Sequence, residues 1–78
     1  MPKYAVALIS FFDNENKIRM VEADDEAGAM IKVAIELMEL DHERDADYIL
    51  SLKGKSAERI QEIVADVDMS ISRALLIE

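Results

Sequence analysis

The sequence predicts an α+β fold in the order ββαβαβ, with a four-stranded, mainly antiparallel sheet and two helices packed on one face. Two observations indicate this class: short stretches in which apolar residues alternate, and longer ones in which they recur every three or four residues. A third is that the 78 residues contain only two glycines and one proline, so regular elements are rarely interrupted. A chain of this length has room for one core, and residues 1–78 are predicted to form a single domain.

The chain is predicted to open with a β-hairpin. Residues 3–12 alternate as a strand that is apolar on both faces, which suits a central strand covered on each side. One face holds Tyr4, Val6, Leu8 and Phe12, and the other holds Ala5, Ala7, Ile9 and Phe11. The polar residues 13–16 form the turn, because Asp and Asn tolerate left-handed backbone, and residues 17–23 alternate as the second strand.

The first helix is predicted to begin at Asp24 or Asp25, either of which can cap it, and to run to Leu40 or Asp41. Its apolar residues cover roughly 220° of the helical wheel, about twice the arc that a surface helix needs. One face of a sheet cannot cover so wide an arc. We therefore expect this helix also to contact the second helix, another copy of the chain or a partner.

The second half is predicted to contain a strand, a helix and a further strand. Residues 47–53 alternate as the third strand, which Gly54 ends, and Ser56 caps a helix with apolar residues at i, i+3, i+4 and i+7. Residues 67–77 fit either a continuation of that helix or a fourth strand. The aspartates and serines there are poor helix-interior residues, and the stretch alternates, which favours the strand.

The residue pattern points to no catalytic or metal site, and the chain is predicted to be non-enzymatic and without a cofactor. No cysteine is present, His42 is the single histidine, and neither glycine belongs to a phosphate-binding loop. A calcium loop over residues 41–52 is disfavoured, because its sixth and twelfth positions hold Ala46 and Leu52 instead of Gly and Glu. The N-terminal apolar run is too short for a membrane span, so a soluble, cytoplasmic protein is expected.

The main functional feature is an acidic cluster at the predicted end of the first helix. We use this name for six residues: Glu36, Glu39, Asp41, Glu43, Asp45 and Asp47. A helix C-terminus already carries partial negative charge, and acids three or four residues apart repel each other on a helix, so the cluster opposes local stability. The acids of residues 22–26 need no such explanation, because carboxylates are favourable at a helix N-terminus. The cluster is therefore either solvated surface or a partner-binding surface.

In its pattern of elements the chain resembles the small, acidic, cysteine-free accessory proteins of bacteriophages. The opening KYAVALISFFDNENKIRMVEADDEAGAM is similar to their hairpin-then-helix beginnings, and IQEIVADVDMSISRALLIE is similar to their closing helix and strand. Many such proteins, anti-CRISPR proteins among them, block host defences by occluding nucleic-acid-binding surfaces, and some mimic DNA with rows of carboxylates. The resemblance implies a non-enzymatic inhibitor, acting in the host cytoplasm, that places the acidic cluster on a basic, nucleic-acid-handling host protein.

The alternative is a self-assembling structural or accessory domain whose acids only maintain solubility. A net charge of −8 repels nucleic acid and anionic membrane, so direct binding to either is not expected. A homodimer is expected from the surplus apolar surface of the first helix and of the second face of the first strand. Lysine at Glu39, Asp41, Glu43 and Asp45 is expected to leave the fold intact, because these positions lie off the apolar arc.

Overall fold

The computed structural model describes residues 2–11 and 15–77, and these form one sheet and a layer of helices. The elements are β1 (Lys3–Ser10), β2 (Glu15–Glu22), α1 (Glu26–Leu37), α2 (Ala46–Leu52), α3 (Ala57–Ala65), β3 (Met69–Ile71) and β4 (Leu75–Leu76). The predicted α+β class and the antiparallel sheet are confirmed, whereas the order is ββαααββ instead of ββαβαβ. Phe12 and the first half of the predicted turn lie outside the described residues; the other half of that turn begins β2.

Strand β1 lies at the centre of the sheet and has antiparallel neighbours on both sides. It pairs with β2 along its whole length, from Lys3 opposite Glu22 to Ser10 opposite Glu15. On its other side, β3 pairs with residues 8–10 and β4 with residues 4–5, so these two short strands form one interrupted row. The predicted strand near the C-terminus is therefore confirmed in type and divided in two.

Ser72 continues the hydrogen bonding to β1 in the interruption between β3 and β4. Its backbone N–H donates to the carbonyl of Ala7 at 2.8 Å, and its hydroxyl Oγ accepts from the N–H of Ala7 at 2.9 Å. The side chain thus takes the place of a backbone acceptor that the irregular segment does not supply. Both polar groups of Ala7 stay paired in the middle of the sheet, as buried backbone groups require.

The strand predicted over residues 47–53 is wrong, because this segment forms helix α2. Alternation would have buried Leu50, yet Leu50 is 61% exposed, while Ile49 and Leu52, three residues apart, are buried. A short apolar run fits both periods, and tertiary packing decides between them. Helical bonding already precedes the segment, since the N–H of Asp45 donates to the carbonyl of Asp41 at 2.8 Å. Gly54, with φ of +75°, then turns the chain out of the helix.

The core lies between one face of the sheet and the helices. One buried cluster joins the two layers. It contains Val6 and Leu8 of β1, Ile71 of β3, Leu52 of α2 and the inward residues of α1 and α3. Helix α1 packs on β1 and β2 and also contacts α2 and α3, so three helices form the layer instead of two. The wide apolar arc of α1 is thus largely covered within the chain, and its fully buried members are Ala29, Met30, Val33 and Ala34.

The starts of α1 and α3 agree with the prediction from the sequence. Asp25 caps α1 by accepting from the N–H of Gly28 at 2.7 Å, and Ser56 caps α3 by accepting from the N–H of Arg59 at 3.2 Å. Between β3 and β4, Arg73 forms ion pairs with Glu26 at 2.7 Å and Glu58 at 3.2 Å, in the first turns of α1 and α3. The returning strands are thereby linked to the helix layer.

Replacing Ser72 with Ala should destabilise the protein, because the N–H of Ala7 would lose its acceptor. A part-buried backbone donor without a partner costs about 1–3 kcal/mol. Ser70→Ala is the matched control, since Ser70 lies on β3 opposite Ile9 with an exposed side chain. Chemical unfolding of both variants measures the difference. Equal losses of unfolding free energy would show that the Ser72 hydroxyl does not complete the sheet.

Candidate interaction surfaces

The acidic cluster lies along the connection between α1 and α2, and the fold distributes its members over different local settings. Glu36 is in the last turn of α1, and Glu39, Asp41 and Glu43 lie in the connection. Asp45 is at the N-cap position of α2, and Asp47 is in its first turn. The two last acids therefore stand at a helix N-terminus, where negative charge is favourable. The sequence did not reveal this, because α2 was predicted to be a strand.

Asp41 and Asp45 build the connection itself. The Oδ1 atom of Asp41 accepts from the N–H groups of Glu43 at 2.7 Å and Arg44 at 2.9 Å. The Oδ2 atom of Asp45 accepts from the N–H of Asp41 at 2.8 Å and from the Arg44 guanidinium at 3.0 Å. These are carboxylate-closed turns of the kind that Asp forms with its own backbone. The expectation that lysine at Asp41 and Asp45 leaves the fold intact is therefore corrected.

The same bonds shift the acidity of both groups. The N–H of Arg44, and then that of Glu43, lowers the pKa of the Asp41 carboxyl below its ordinary value. The N–H of Asp41, and then the Arg44 side chain, lowers the pKa of Asp45. In both cases a donor stabilises the charged form of the carboxyl. The two acids are thus ionised for a structural reason.

Glu36 is also engaged within the chain. Its Oε1 atom lies 3.1 Å from Nε of Arg19, which joins α1 to β2. Both side chains are about half exposed, so this pair contributes little to stability. It nevertheless shows that the side chain of Arg19 extends over the helix-covered face of the sheet.

Glu39 occupies the position at which a glycine normally ends a helix. Its φ is 54°, in the left-handed region. The N–H of Leu40 donates to the carbonyl of Ile35 at 3.0 Å, and the N–H of Glu39 donates to that of Glu36 at 3.3 Å, which is the bonding of a Schellman motif. A residue with a Cβ is disfavoured there by about 1–2 kcal/mol. Helix α1 therefore ends at Leu37, short of the predicted boundary, without a glycine to mark it.

Three members of the acidic cluster differ from the rest because their carboxylates have no bonded partner among the described residues. Glu39, Glu43 and Asp47 are exposed, and within residues 2–11 and 15–77 their carboxylates form no hydrogen bond or ion pair. The other three members, Glu36, Asp41 and Asp45, each have a partner in the chain. Half of the predicted partner-binding residues are therefore available to a partner, and half serve the fold.

A second candidate surface is the face of the sheet that carries no helix. Directly opposed residues of antiparallel strands share a face, so Ala5 lies with Met20, and Ala7 lies with Ile18. On the other side of β1, Leu75 lies opposite Ala5. Phe11 extends the row beyond β1, with its N–H donating to the carbonyl of Asp68 at 3.3 Å. We call this surface the open sheet face, and it comprises Ala5, Ala7, Ile9, Phe11, Ile18, Met20 and Leu75.

The open sheet face exposes large apolar side chains. Phe11, Ile18, Met20 and Leu75 are between 64% and 68% exposed, and Ile9 is 38% exposed, whereas Val6 on the opposite face is 1% exposed. Together the five large residues present on the order of 600 Å², at the upper end of the largest apolar patches on ordinary monomers. The sequence indicated the β1 part of this surface. It could not supply Ile18, Met20 and Leu75, because strand register decides their side.

This face carries almost no charge. Among the paired residues of the four strands, only Lys3 and Glu22 are charged on this side, and they lie opposite each other at one end. Lys17 and Arg19 of β2 lie opposite Leu8 and Val6, on the helix-covered side. The paired strand residues of this face are thus neutral in sum on a chain whose net charge is −8, and Asp68 lies beside Phe11 at the end of the row.

Neither lateral edge of the sheet offers a comparable surface. Strand β2 carries Lys17 and Arg19 on its helix side, and inward charges of this kind discourage pairing with another strand. At the opposite edge, the Gln61 side-chain amide donates to the carbonyl of Ile71 at 3.0 Å, and the row is broken between β3 and β4. The exposed apolar face is therefore the sheet surface that is left without protection.

The described part of the chain contains neither a membrane-spanning helix nor a metal-ligand cluster. No helix there is both long and apolar enough to cross a membrane. No three side chains of His, Asp or Glu in the same part converge to hold a metal ion. His42 lies exposed in the connection between α1 and α2.

Replacing Asp41 with Ala should lower the thermal midpoint at neutral pH, because two backbone N–H groups lose their acceptor. A carboxyl whose pKa is lowered by folding stabilises the fold above its ordinary pKa of 3.8, and this stabilisation is lost as the pH falls through the lowered value. The difference in thermal midpoint between wild type and variant should therefore become smaller in acid. Glu43→Ala is the control and should change little. A difference that persists unchanged in acid would contradict the assigned role of Asp41.

No family model matches the chain, and no significant match was found among curated proteins or solved structures. No relative therefore transfers a residue role, a ligand or a partner to this protein. The resemblance to bacteriophage accessory proteins stays a prediction, because it depends on the pattern of elements alone.

Proposed function

We propose that this chain is a non-enzymatic protein-interaction domain whose working surface is the open sheet face. The observation that carries the proposal is the contiguity of Ile18, Met20 and Leu75 with the apolar row of β1, all on one uncovered side of the sheet. Single exposed apolar residues are common on soluble proteins, whereas a contiguous patch at the upper end of the range for monomers is often functional. This corresponds to the accessory-domain alternative of the sequence analysis.

The magnitude of the apolar surface supports a binding role. Burying on the order of 600 Å² at about 25 cal/mol per Å² gives roughly 15 kcal/mol of favourable transfer free energy on one side of an interface. Association costs about 4–15 kcal/mol in lost freedom of motion, which is of the same order as the gain from this burial. The solvated acidic surface has no comparable driving force.

The proposal predicts a cross-link that depends on position. A photoreactive benzoyl-phenylalanine replaces Ile18 in one variant and Leu50 in another, because Leu50 is exposed to a similar extent but lies on α2. Irradiation of cells that produce each variant should yield a defined protein adduct from position 18 and none from position 50. Mass spectrometry identifies the adduct. If position 18 yields no more adduct than position 50, the proposal is contradicted.

The acidic cluster supports a second candidate function. Glu39, Glu43 and Asp47 are exposed and unpaired within the described part of the chain, and Glu39 is held in a disfavoured backbone conformation. On this proposal the three carboxylates bind a basic, nucleic-acid-handling host protein and inhibit it, as the resemblance to phage anti-defence proteins implies. Charge complementarity would steer the encounter and select the partner.

Reversing the charge of these three residues tests the inhibitor hypothesis. The variant Glu39→Lys, Glu43→Lys, Asp47→Lys should stay folded and should lose the ability to restore phage plating on CRISPR-immune bacteria, because attraction becomes repulsion. The control variant Asp24→Lys, Glu62→Lys, Asp66→Lys changes the net charge equally at exposed acids elsewhere and should keep that ability. Wild-type protein without any protective effect, or equal behaviour of the two variants, would refute the hypothesis.

A further inference from the structure

We infer that the partner on the open sheet face is a second copy of this chain, packed face to face through a two-fold axis. The inference rests on the proposed function, since it names the occupant of the same surface. Four properties of the described residues lead to it: the charge of the face, its area, its relief and the protection of the sheet edges.

Charge favours a second copy over a basic partner. Two chains that each carry −8 repel each other, and this repulsion is smallest when they meet through a surface without net charge. The open sheet face is such a surface, because Lys3 and Glu22 balance each other among its paired strand residues. A basic protein would find no attraction there. A two-fold pair also keeps the acidic connections of the two copies away from the interface, on the helix side of each sheet.

The area is sufficient for a specific pair. When two open sheet faces meet, on the order of 1,200 Å² leaves water in total, which is the lower end of the range for stable protein interfaces. Both sides contribute the same apolar surface, as a symmetric interface requires. A charged or polar partner would cover the same residues with polar groups, and it would not offer the apolar surface that these residues can pack against.

The relief of the face is self-complementary. Ala5 and Ala7 are small, so the first part of the central strand is lower than its neighbours, and this trough ends at the larger Ile9. Ile18 and Met20 form a ridge on the β2 side, and Leu75 rises on the β4 side. Facing layers interdigitate when large residues meet small ones, and stacked sheets normally pack at about 10 Å with aligned strands. The ridge of one copy therefore fits the trough of the other.

The protected edges disfavour the other common way of joining two sheets. Edge-to-edge pairing would bring together two β2 strands, each with Lys17 and Arg19 on the same side. The β3 edge is occupied by the amide of Gln61. Association through the face leaves all of these groups undisturbed.

Sedimentation equilibrium of the purified protein over a wide concentration range tests the inference. Wild type should form a dimer. Ile18→Lys should raise the dimer dissociation constant by about a hundredfold or more, because an ammonium group would enter an apolar interface. Leu50→Lys adds the same charge at a similarly exposed apolar residue on α2 and should leave the constant unchanged. Ala7→Trp, which fills the trough at the centre of the face, should also weaken the dimer.

Each result has one consequence. A dimer that survives both Ile18→Lys and Ala7→Trp would use another surface and would overturn the inference. A wild-type monomer at every concentration would overturn it too. The proposed function would then still stand if the cross-link from position 18 identified a different protein, and it would fail if no adduct formed. Circular dichroism and thermal unfolding confirm that each variant is folded before its mass is interpreted.

Discussion

The two-sided apolar character of β1 is the constraint on which the rest of the structure depends. Its residues on one side, Val6 and Leu8, enter the core, and those on the other side remain uncovered. All three helices follow one another in the chain with short connections, so they stay on the face where α1 begins. Strands β3 and β4 then return to the free side of β1 and complete the sheet without adding a layer to its other face.

The protein thus presents two surfaces of opposite chemistry. The helix side carries the acidic connection between α1 and α2, and the open sheet face is apolar and without net charge. The two proposals are physically compatible, because a pair joined through the sheets would expose two acidic connections on its outer sides.

Clusters of charge in a sequence overstate the surface that is free to bind. Asp41 and Asp45 each accept two or more hydrogen bonds that shape the connection, and Glu36 is paired with Arg19. Short-range turns of this kind use carboxylates for reasons that have no bearing on a partner. Only the geometry separated these acids from Glu39, Glu43 and Asp47.

Elements with both a periodic pattern and a terminal signal were predicted well. The hairpin strands, the start of α1 and the Ser56 cap of α3 belong to this group. Helix α2 was missed because its seven residues fit either period, and only the packing of Ile49 and Leu52 selects the helix.

The sequence by itself determined the α+β class, the apolar character of both faces of β1 and the concentration of six acids in residues 36–47. These properties depend on residues that are close in the chain, where periodicity and composition are informative. Tertiary structure alone decided which acids remain free and which side chains join β1 on its open face. Leu75 lies opposite Ala5, although most of the chain separates them in sequence. Ile18 lies opposite Ala7 because of a strand register that alternation alone cannot specify. Such contacts are chosen by the packing of the whole core, because one residue of slippage would move every side chain of a strand to the other face.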